Sequence, residues 1–461
     1  MSCLWDSVAR SGATISAEIH GRGASVQLME LAAGSTFGTA LESLRGRSVL
    51  IATREQLPTA LALVELDGVA RRMVVCTPDL TPEQLAGVAA AAQADAIVLE
   101  TPSTTTTSAS LAPYVVAPRP IPGPTKRRAS AATEWILLTS GTTATPKLVV
   151  HTLQSLGGAL SMQPPPGTQS TWSTFYDIRR YGGLQIYLRA VLSGSPLVLS
   201  SAGEPTLDFL ARAAAAGVTH ISGTPSHWRR ALMSGGAAIL KPRYVRLSGE
   251  IADQAVLDNL RAVYPTARIA HAFASTEAGV AFDVNDGLAG FPLAFVDNPS
   301  SEIALKVVDH TLRIRASRIA ARYLGAAPGL LVSDDGYVDT GDMVELVEGR
   351  YYFRGRMGGV INVGGLKVYP EEVESVLNAD PRVRMSLVRA RRNPITGALV
   401  VADVVLANPA SPAASDKPEI VKSDLLDACR RTLAPHKVPA ILRFVPALEF
   451  TAAGKLVRPN T

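Results

Sequence analysis

Short apolar runs and helical stretches alternate along the first hundred residues, and that alternation limits the fold more than any other feature. Ser48-Val49-Leu50-Ile51-Ala52 is too short for a buried helix and reads as a buried strand. Pro58 to Val69 reads as a helix, and Met73-Val74-Val75-Cys76 as the next strand. Thr81-Pro82-Glu83 opens a second helix: threonine caps it, proline suits its first turn, and glutamate faces the positive end of its dipole. Ala96-Ile97-Val98-Leu99 is a third strand. Helical crossovers between strands return the chain to the same end of the sheet, so the strands run parallel. The expected class is α/β.

At 461 residues the chain exceeds one compact core, and two or three packed units are expected. Hydrophobic residues make up 47% and charged residues 18%, which excludes an intrinsically disordered chain. No run nears the ~18 apolar residues of a membrane span. Met1 to Arg10, with Asp6, holds no apolar signal core, and a cytoplasmic location is expected. Cys3, Cys76 and Cys429 lack metal-ligand spacing and fit a reducing compartment. The net charge of +5 is concentrated from Arg356 onward, where 15 basic residues face 10 acidic ones. A basic C-terminal unit suits a polyphosphate ligand. No basic run is interleaved with aromatics, so no nucleic-acid partner is expected. Residues 101–131 read as an exposed connector, Leu312–Leu324 and Gly336–Phe353 as short β elements, and Asn408–Pro418 as a loop.

Five clusters carry chemistry. Strand-like Trp135–Leu138 runs into Thr139, Ser140, Gly141, Thr142, Thr143, Ala144, Thr145, Pro146 and Lys147. Hydroxyls, backbone N–H groups and a terminal lysine can surround phosphate oxygens, although a solvated threonine-rich turn has the same composition. Phe273-Ala274-Ser275-Thr276-Glu277 sets a hydroxyl beside a carboxylate at a strand end, as a phosphate contact next to a Mg²⁺ ligand requires. Tyr337–Asp342 is an acidic turn. Arg354-Gly355-Arg356 leads into Gly364-Gly365-Leu366-Lys367, and Gly454-Lys455 lies near the end.

With these motifs in this order, the sequence from about residue 45 onward resembles the adenylate-forming superfamily of acyl- and aryl-CoA synthetases, nonribosomal adenylation domains and luciferases. The resemblance implies a large multi-sheet N-terminal domain, 1–355, and a small mobile α+β lid, 356–461. It implies an ATP-dependent acid–thiol ligase that makes an acyl-AMP and then a thioester, with ATP, Mg²⁺ and coenzyme A as cofactors. A carrier-protein thiol is the alternative acceptor, and a non-catalytic nucleotide-binding homologue the second alternative. It assigns Thr139, Ser140, Gly141, Thr142, Thr143 and Lys147 to the ATP phosphates, and Phe273 and the Gly249-Glu250-Ile251 backbone to adenine. Thr276 is matched to the α-phosphate, Glu277 to Mg²⁺, and Asp342 with Arg356 to the ribose. Lys455 is matched to the lysine that bridges the substrate carboxylate and the α-phosphate, and Gly364, Gly365 and Lys367 to the pantetheine channel. A monomer or homodimer acting on a small carboxylic acid is implied. No general base is needed, because a carboxylate is already ionised at pH 7.

The chain departs from that pattern. Ala144 stands where a second loop glycine is usual, and Gly358, followed by Gly359, stands at the hinge position usually held by Asp or Lys. The start is shortened by roughly 30–50 residues, judged from where the phosphate loop falls along the chain. Counting back from Gly194 puts Tyr181, not Asp177, where amino-acid-activating relatives hold an ammonium, so an ordinary α-amino acid is not the expected substrate. Tyr181, Gly182, Gly223 and Trp228 are the candidate acid-pocket walls, with a core or surface role for Trp228 equally open.

Overall fold

A computed structural model describes residues 3–11, 17–101, 111–122, 132–139, 146–157, 170–300, 302–316, 319–325, 332–394, 397–407, 418–451 and 454–458. The fold is mixed α/β, with a large N-terminal domain and a smaller C-terminal one.

Two large sheets form the N-terminal domain. In a seven-stranded sheet, Ser48–Ile51 lies between Arg72–Val75 and Ala96–Leu99, all parallel. The first two are wholly buried and the third is buried except at Leu99, as continuous apolar runs covered on both faces should be. The first helix, Gln56–Leu66, starts and ends earlier than expected. Pro58 falls in its first turn, where a missing N–H costs no intrahelical bond. The second helix, Pro82–Ala92, carries the expected cap: Gln84 N donates to Thr81 Oγ1 (3.2 Å), and Thr81 N to Gln84 Oε1 (3.0 Å). The connector expected at 101–131 contains a strand, Ala112–Val115, which the proline at 113 obscured. It is an edge strand, where a proline is tolerated.

An eight-stranded sheet places parallel strands Trp172–Thr174, His220–Gly223, Tyr244–Ser248 and Arg268–Ser275 side by side. Its antiparallel outer strand, Gly279–Val284, carries the chain back after the Thr276-Glu277 turn. A five-stranded antiparallel sheet includes Val338–Val347 and Arg350–Arg356. Beyond it lie a hairpin, Ile361–Val363 with Leu366–Val368, and a three-stranded sheet backed by helices Pro370–Asn378 and Pro418–Thr432. This last group has its own apolar core, around Val373, Leu377, Val388, Val404 and Leu425. Among the described residues no helix is long and apolar enough to cross a membrane.

Candidate active site

The threonine-rich loop joins two antiparallel strands, Glu134–Thr139 and Lys147–His151, with Thr139 opposite Lys147. Ser140, Gly141, Thr142, Thr143, Ala144 and Thr145 lie outside the described residues. The loop's base is tied to the Thr276-Glu277 turn by Tyr323, on a short strand that pairs with Lys147–His151. The Tyr323 hydroxyl donates to Glu277 Oε1 (3.3 Å), and the Lys147 ammonium lies 5.4 Å from its ring centroid.

His151 provides a second tie. It is fully buried, its Nε2 meets the Thr276 carbonyl at 2.8 Å, and its Nδ1 meets Ser155 Oγ at 3.2 Å. Burial pushes its pKa down to about 4, against the raising effect of that carbonyl. At neutral pH the ring is therefore uncharged and donates from Nε2. Ser275 Oγ accepts from Ala278 N (2.9 Å), and the Glu277 carbonyl accepts from Ala320 N (2.9 Å), so the turn is held at both ends.

Phe273 is not an isolated platform. It is offset-stacked on Phe353 (5.4 Å, 5°) and Phe282 (5.8 Å, 20°), and such stacks cover only part of each face. Asp342 pairs across the hairpin with Arg356, Oδ1 to Nε at 3.3 Å, and its N–H donates to Thr340 Oγ1 (3.1 Å). Burial raises its pKa, against lowering by Arg356, Thr340 and Lys455.

Lys455 comes from the C-terminal domain, yet it lies over the N-terminal one. A Cβ on Gly249 would stand 3.5 Å from Lys455 Cε. Part of the residue's surface stays exposed, while burial of the charged group in the cleft lowers its pKa. Glu250 and Asp342 oppose that lowering, and Arg356 and Arg180 add to it. The Glu250 carboxylate, expected only to flank adenine, accepts from Ser226 N (2.9 Å) and Ser226 Oγ (3.0 Å).

In the acid-pocket region, Asp177 is taken up by Arg179: Oδ1 accepts from its N (2.9 Å) and Nε (2.7 Å), and Oδ2 from Nη2 (2.6 Å). Tyr181 opens the helix Tyr181–Ser193, with its ring 5.9 Å from that of His151. Gly182 stands beside the Tyr176 ring. A Cβ on Gly223 would come 2.7 Å from the Phe175 ring. Trp228 needs correction as a pocket wall. It has no exposed surface and packs in the core behind Phe175, edge to face at 5.3 Å.

Gly364 and Gly365 form the positive-φ tip of the exposed hairpin, with Lys367 on its second strand, also exposed. Gly358 sits in the short turn Met357–Gly359. Among the described residues no cluster of three or more His, Cys, Asp or Glu side chains offers a metal cage. Glu277, a single half-exposed carboxylate that shares the Tyr323 side chain with Lys147, suits a Mg²⁺ that arrives already coordinated by phosphates.

Tyr323, His151 and Ser226 were missed by sequence reasoning. Only His151 left a signal, a titratable residue ending the apolar strand Leu148-Val149-Val150.

The chain is 32% identical over 282 residues to a 2-succinylbenzoate–CoA ligase of Salmonella typhimurium, a match that covers 57% of each chain. The fold superposes with a TM-score of 0.81 on an anthranilate CoA ligase in complex with anthranoyl-AMP, at 17% identity over 99% of this chain and 95% of that one. It superposes at 0.80 on a benzoate CoA ligase from Burkholderia xenovorans, at 20% identity over 99% of both chains. Residues 372–455 match the AMP-binding enzyme C-terminal domain. Residues 48–317, more than half of the chain, match the AMP-binding enzyme itself, and the chain belongs to that family.

Proposed function

We propose that the protein is an ATP-dependent acid–thiol ligase, with residues 1–355 as its nucleotide- and acid-binding domain and 356–461 as a mobile lid. The observation that carries this reading is Lys455, delivered by the C-terminal domain to a cleft where Glu250, Asp342, Arg356 and Arg180 surround it. A substrate carboxylate attacks the α-phosphorus of ATP, pyrophosphate leaves, and an acyl-AMP forms. A thiol, most simply that of coenzyme A, then attacks the acyl carbonyl and AMP leaves. Both reactants of the first step are anions, so fixed cations must offset the charge that builds at phosphorus. Lys455 would bridge the two, with Thr276 on the α-phosphate and Thr139, Ser140, Gly141, Thr142, Thr143 and Lys147 on the outer phosphates. Asp342 would hold the ribose hydroxyls, and the open part of Phe273, with Gly249, Glu250 and Ile251, the adenine. Glu277 would ligate Mg²⁺, which supplies Lewis-acid neutralisation of phosphate charge.

The acid is a small carboxylic acid, and the relatives' names put 2-succinylbenzoate, benzoate and anthranilate first in a panel. Tyr181 stands at the position that holds an ammonium in amino-acid-activating relatives, and the nearby Asp177 is paired with Arg179, which together disfavour an ordinary α-amino acid. Scattered free cysteines suit a cytoplasmic location, and the protein would act as a monomer or homodimer. The test is pyrophosphate release across the panel with no thiol, with coenzyme A, and with a phosphopantetheinyl carrier protein. No acid-dependent release from any acid would remove the ligase reading.

Glu277→Gln is expected to lower Mg²⁺-ATP use by at least ~10²-fold with an unchanged melting temperature, because an amide is a poor ligand for a hard cation. Full activity at saturating Mg²⁺ would refute the metal role.

A further inference from the structure

The two residues that flank Lys455 are each fastened to the N-terminal domain. On one side the Thr224 hydroxyl donates to the Gly454 carbonyl (3.1 Å). On the other the Leu456 N–H donates to Glu250 Oε1 (3.3 Å). Both anchors belong to the start of helix Pro225–Met233: Thr224 is its cap, and Glu250 accepts from Ser226 in its first turn. Between them stands His227, whose ring stacks on Phe175 (5.4 Å, 13°) and meets Tyr176 edge-on (5.9 Å). Its Nδ1 accepts from Thr224 N (3.1 Å), so the ring is held on several sides. Burial lowers its pKa to about 3, which keeps it neutral and Nδ1 free to accept. Gly454, at φ +70°, lies directly against this ring, and any Cβ there would overlap Cε1 and Nε2. Further along the same helix, Arg230 covers the Phe450 ring at 4.4 Å.

We propose that Thr224, His227 and Glu250 form a seat for the Gly454–Leu456 turn, a set of positioning residues that holds the C-terminal domain in its adenylation orientation. This rests on the reading of Lys455 as an adenylation residue. The seat joins parts of the chain more than 200 positions apart and consists of contacts between the domains, so a lid that rotates away must break all of them together. It therefore sets how much of the protein stands ready for the first half-reaction. The hydrogen bonds fix Lys455 along the cleft, and the His227 ring fixes its height by admitting only a glycine before it.

Three changes test the seat. Gly454→Ala overlaps His227 only in the docked orientation, and should lower acid-dependent pyrophosphate exchange by about 100-fold. Thioester formation from synthetic acyl-AMP should stay within about threefold. Adding His227→Ala to that variant should restore at least about tenfold. Thr224→Val should cost about tenfold in exchange alone, with Thr224→Ser restoring it, since the serine keeps both the cap and the donor. Glu250→Gln should act in the same direction as Thr224→Val. A second readout needs no substrate: the distance between spin labels on Asp258→Cys and Ser423→Cys, in a Cys3→Ser background. Gly454→Ala should broaden or lengthen the single docked distance of the parent. Equal losses in both half-reactions, no regain on adding His227→Ala, or identical label distances would each overturn the seat. Shifted distances in a protein whose pyrophosphate exchange no acid supports would keep the seat and remove the ligase reading.

Discussion

Lys455→Ala is expected to abolish acyl-AMP formation while largely sparing the transfer of a ready-made acyl-AMP to a thiol. The first step joins two anions at phosphorus, and a fixed ammonium there is worth at least ~10²–10³ in rate. The side chain is already placed among Glu250, Asp342 and Arg356, so its loss removes a preorganised charge rather than one that must be recruited. The second step brings a thiol to the acyl carbonyl and draws nothing from this ammonium, so thioester formation should change by less than about threefold. The pH profile offers a separate check. Burial lowers the Lys455 pKa, and the charged form is the competent one. On the free enzyme, kcat/KM for adenylation should therefore fall on the alkaline side at a lower pH than an ordinary lysine would give. That limb should vanish from the residual activity of the alanine variant. Equal losses in both half-reactions would show that the lysine holds the structure rather than the transition state.

The sequence was most informative where structure is local. Strands Ser48–Ile51, Arg72–Val75 and Ala96–Leu99 follow from apolar runs, and the Thr81 cap from a residue pattern within one turn. Ala112–Val115 was not legible, because Pro113 argues against a strand and only its edge position permits one. The site divides in the same way. Thr276, Glu277, Asp342 and Lys455 sit in contiguous motifs, whose order and spacing could name them as candidates. Tyr323 could not, since it reaches Glu277 only because Arg322–Leu324 pairs with Lys147–His151 across the sheet. Thr224 and Gly454 are likewise joined by tertiary structure alone. Trp228 shows the converse limit: a large aromatic beside pocket residues carries no sign of which side of its helix faces the core, and this one has no exposed surface.

Gly358→Pro is expected to keep adenylation nearly intact and depress thioester formation by ~10²-fold or more, as when a conformational step gates turnover. The position has a telling property. In the docked orientation nothing asks for glycine at 358: its φ is not in the left-handed region, and a Cβ there would meet no atom within 4 Å. The same open space surrounds Gly359. A glycine that the present conformation does not need is explained by a conformation that does, and a rotating lid would supply one. Gly crosses between φ regions that other residues enter at a cost, whereas Pro is fixed near −65° and restricts the residue before it. In the proposed mechanism Lys455 and the thiol need the same space in turn, so the lid must leave its seat after the first step. The exposed hairpin of Gly364, Gly365 and Lys367 would then be free to move in along the acceptor's path. Gly358→Ala should be silent in adenylation and should slow the second step by a smaller factor. Pyrophosphate exchange and transfer from synthetic acyl-AMP, measured beside melting curves, separate the outcomes. If the proline variant is folded and runs both steps at the parent's rates, rotation does not turn on this residue. If it loses adenylation alone, the proline excludes the docked orientation, and the open space at 358 is no guide to which pose the turn favours.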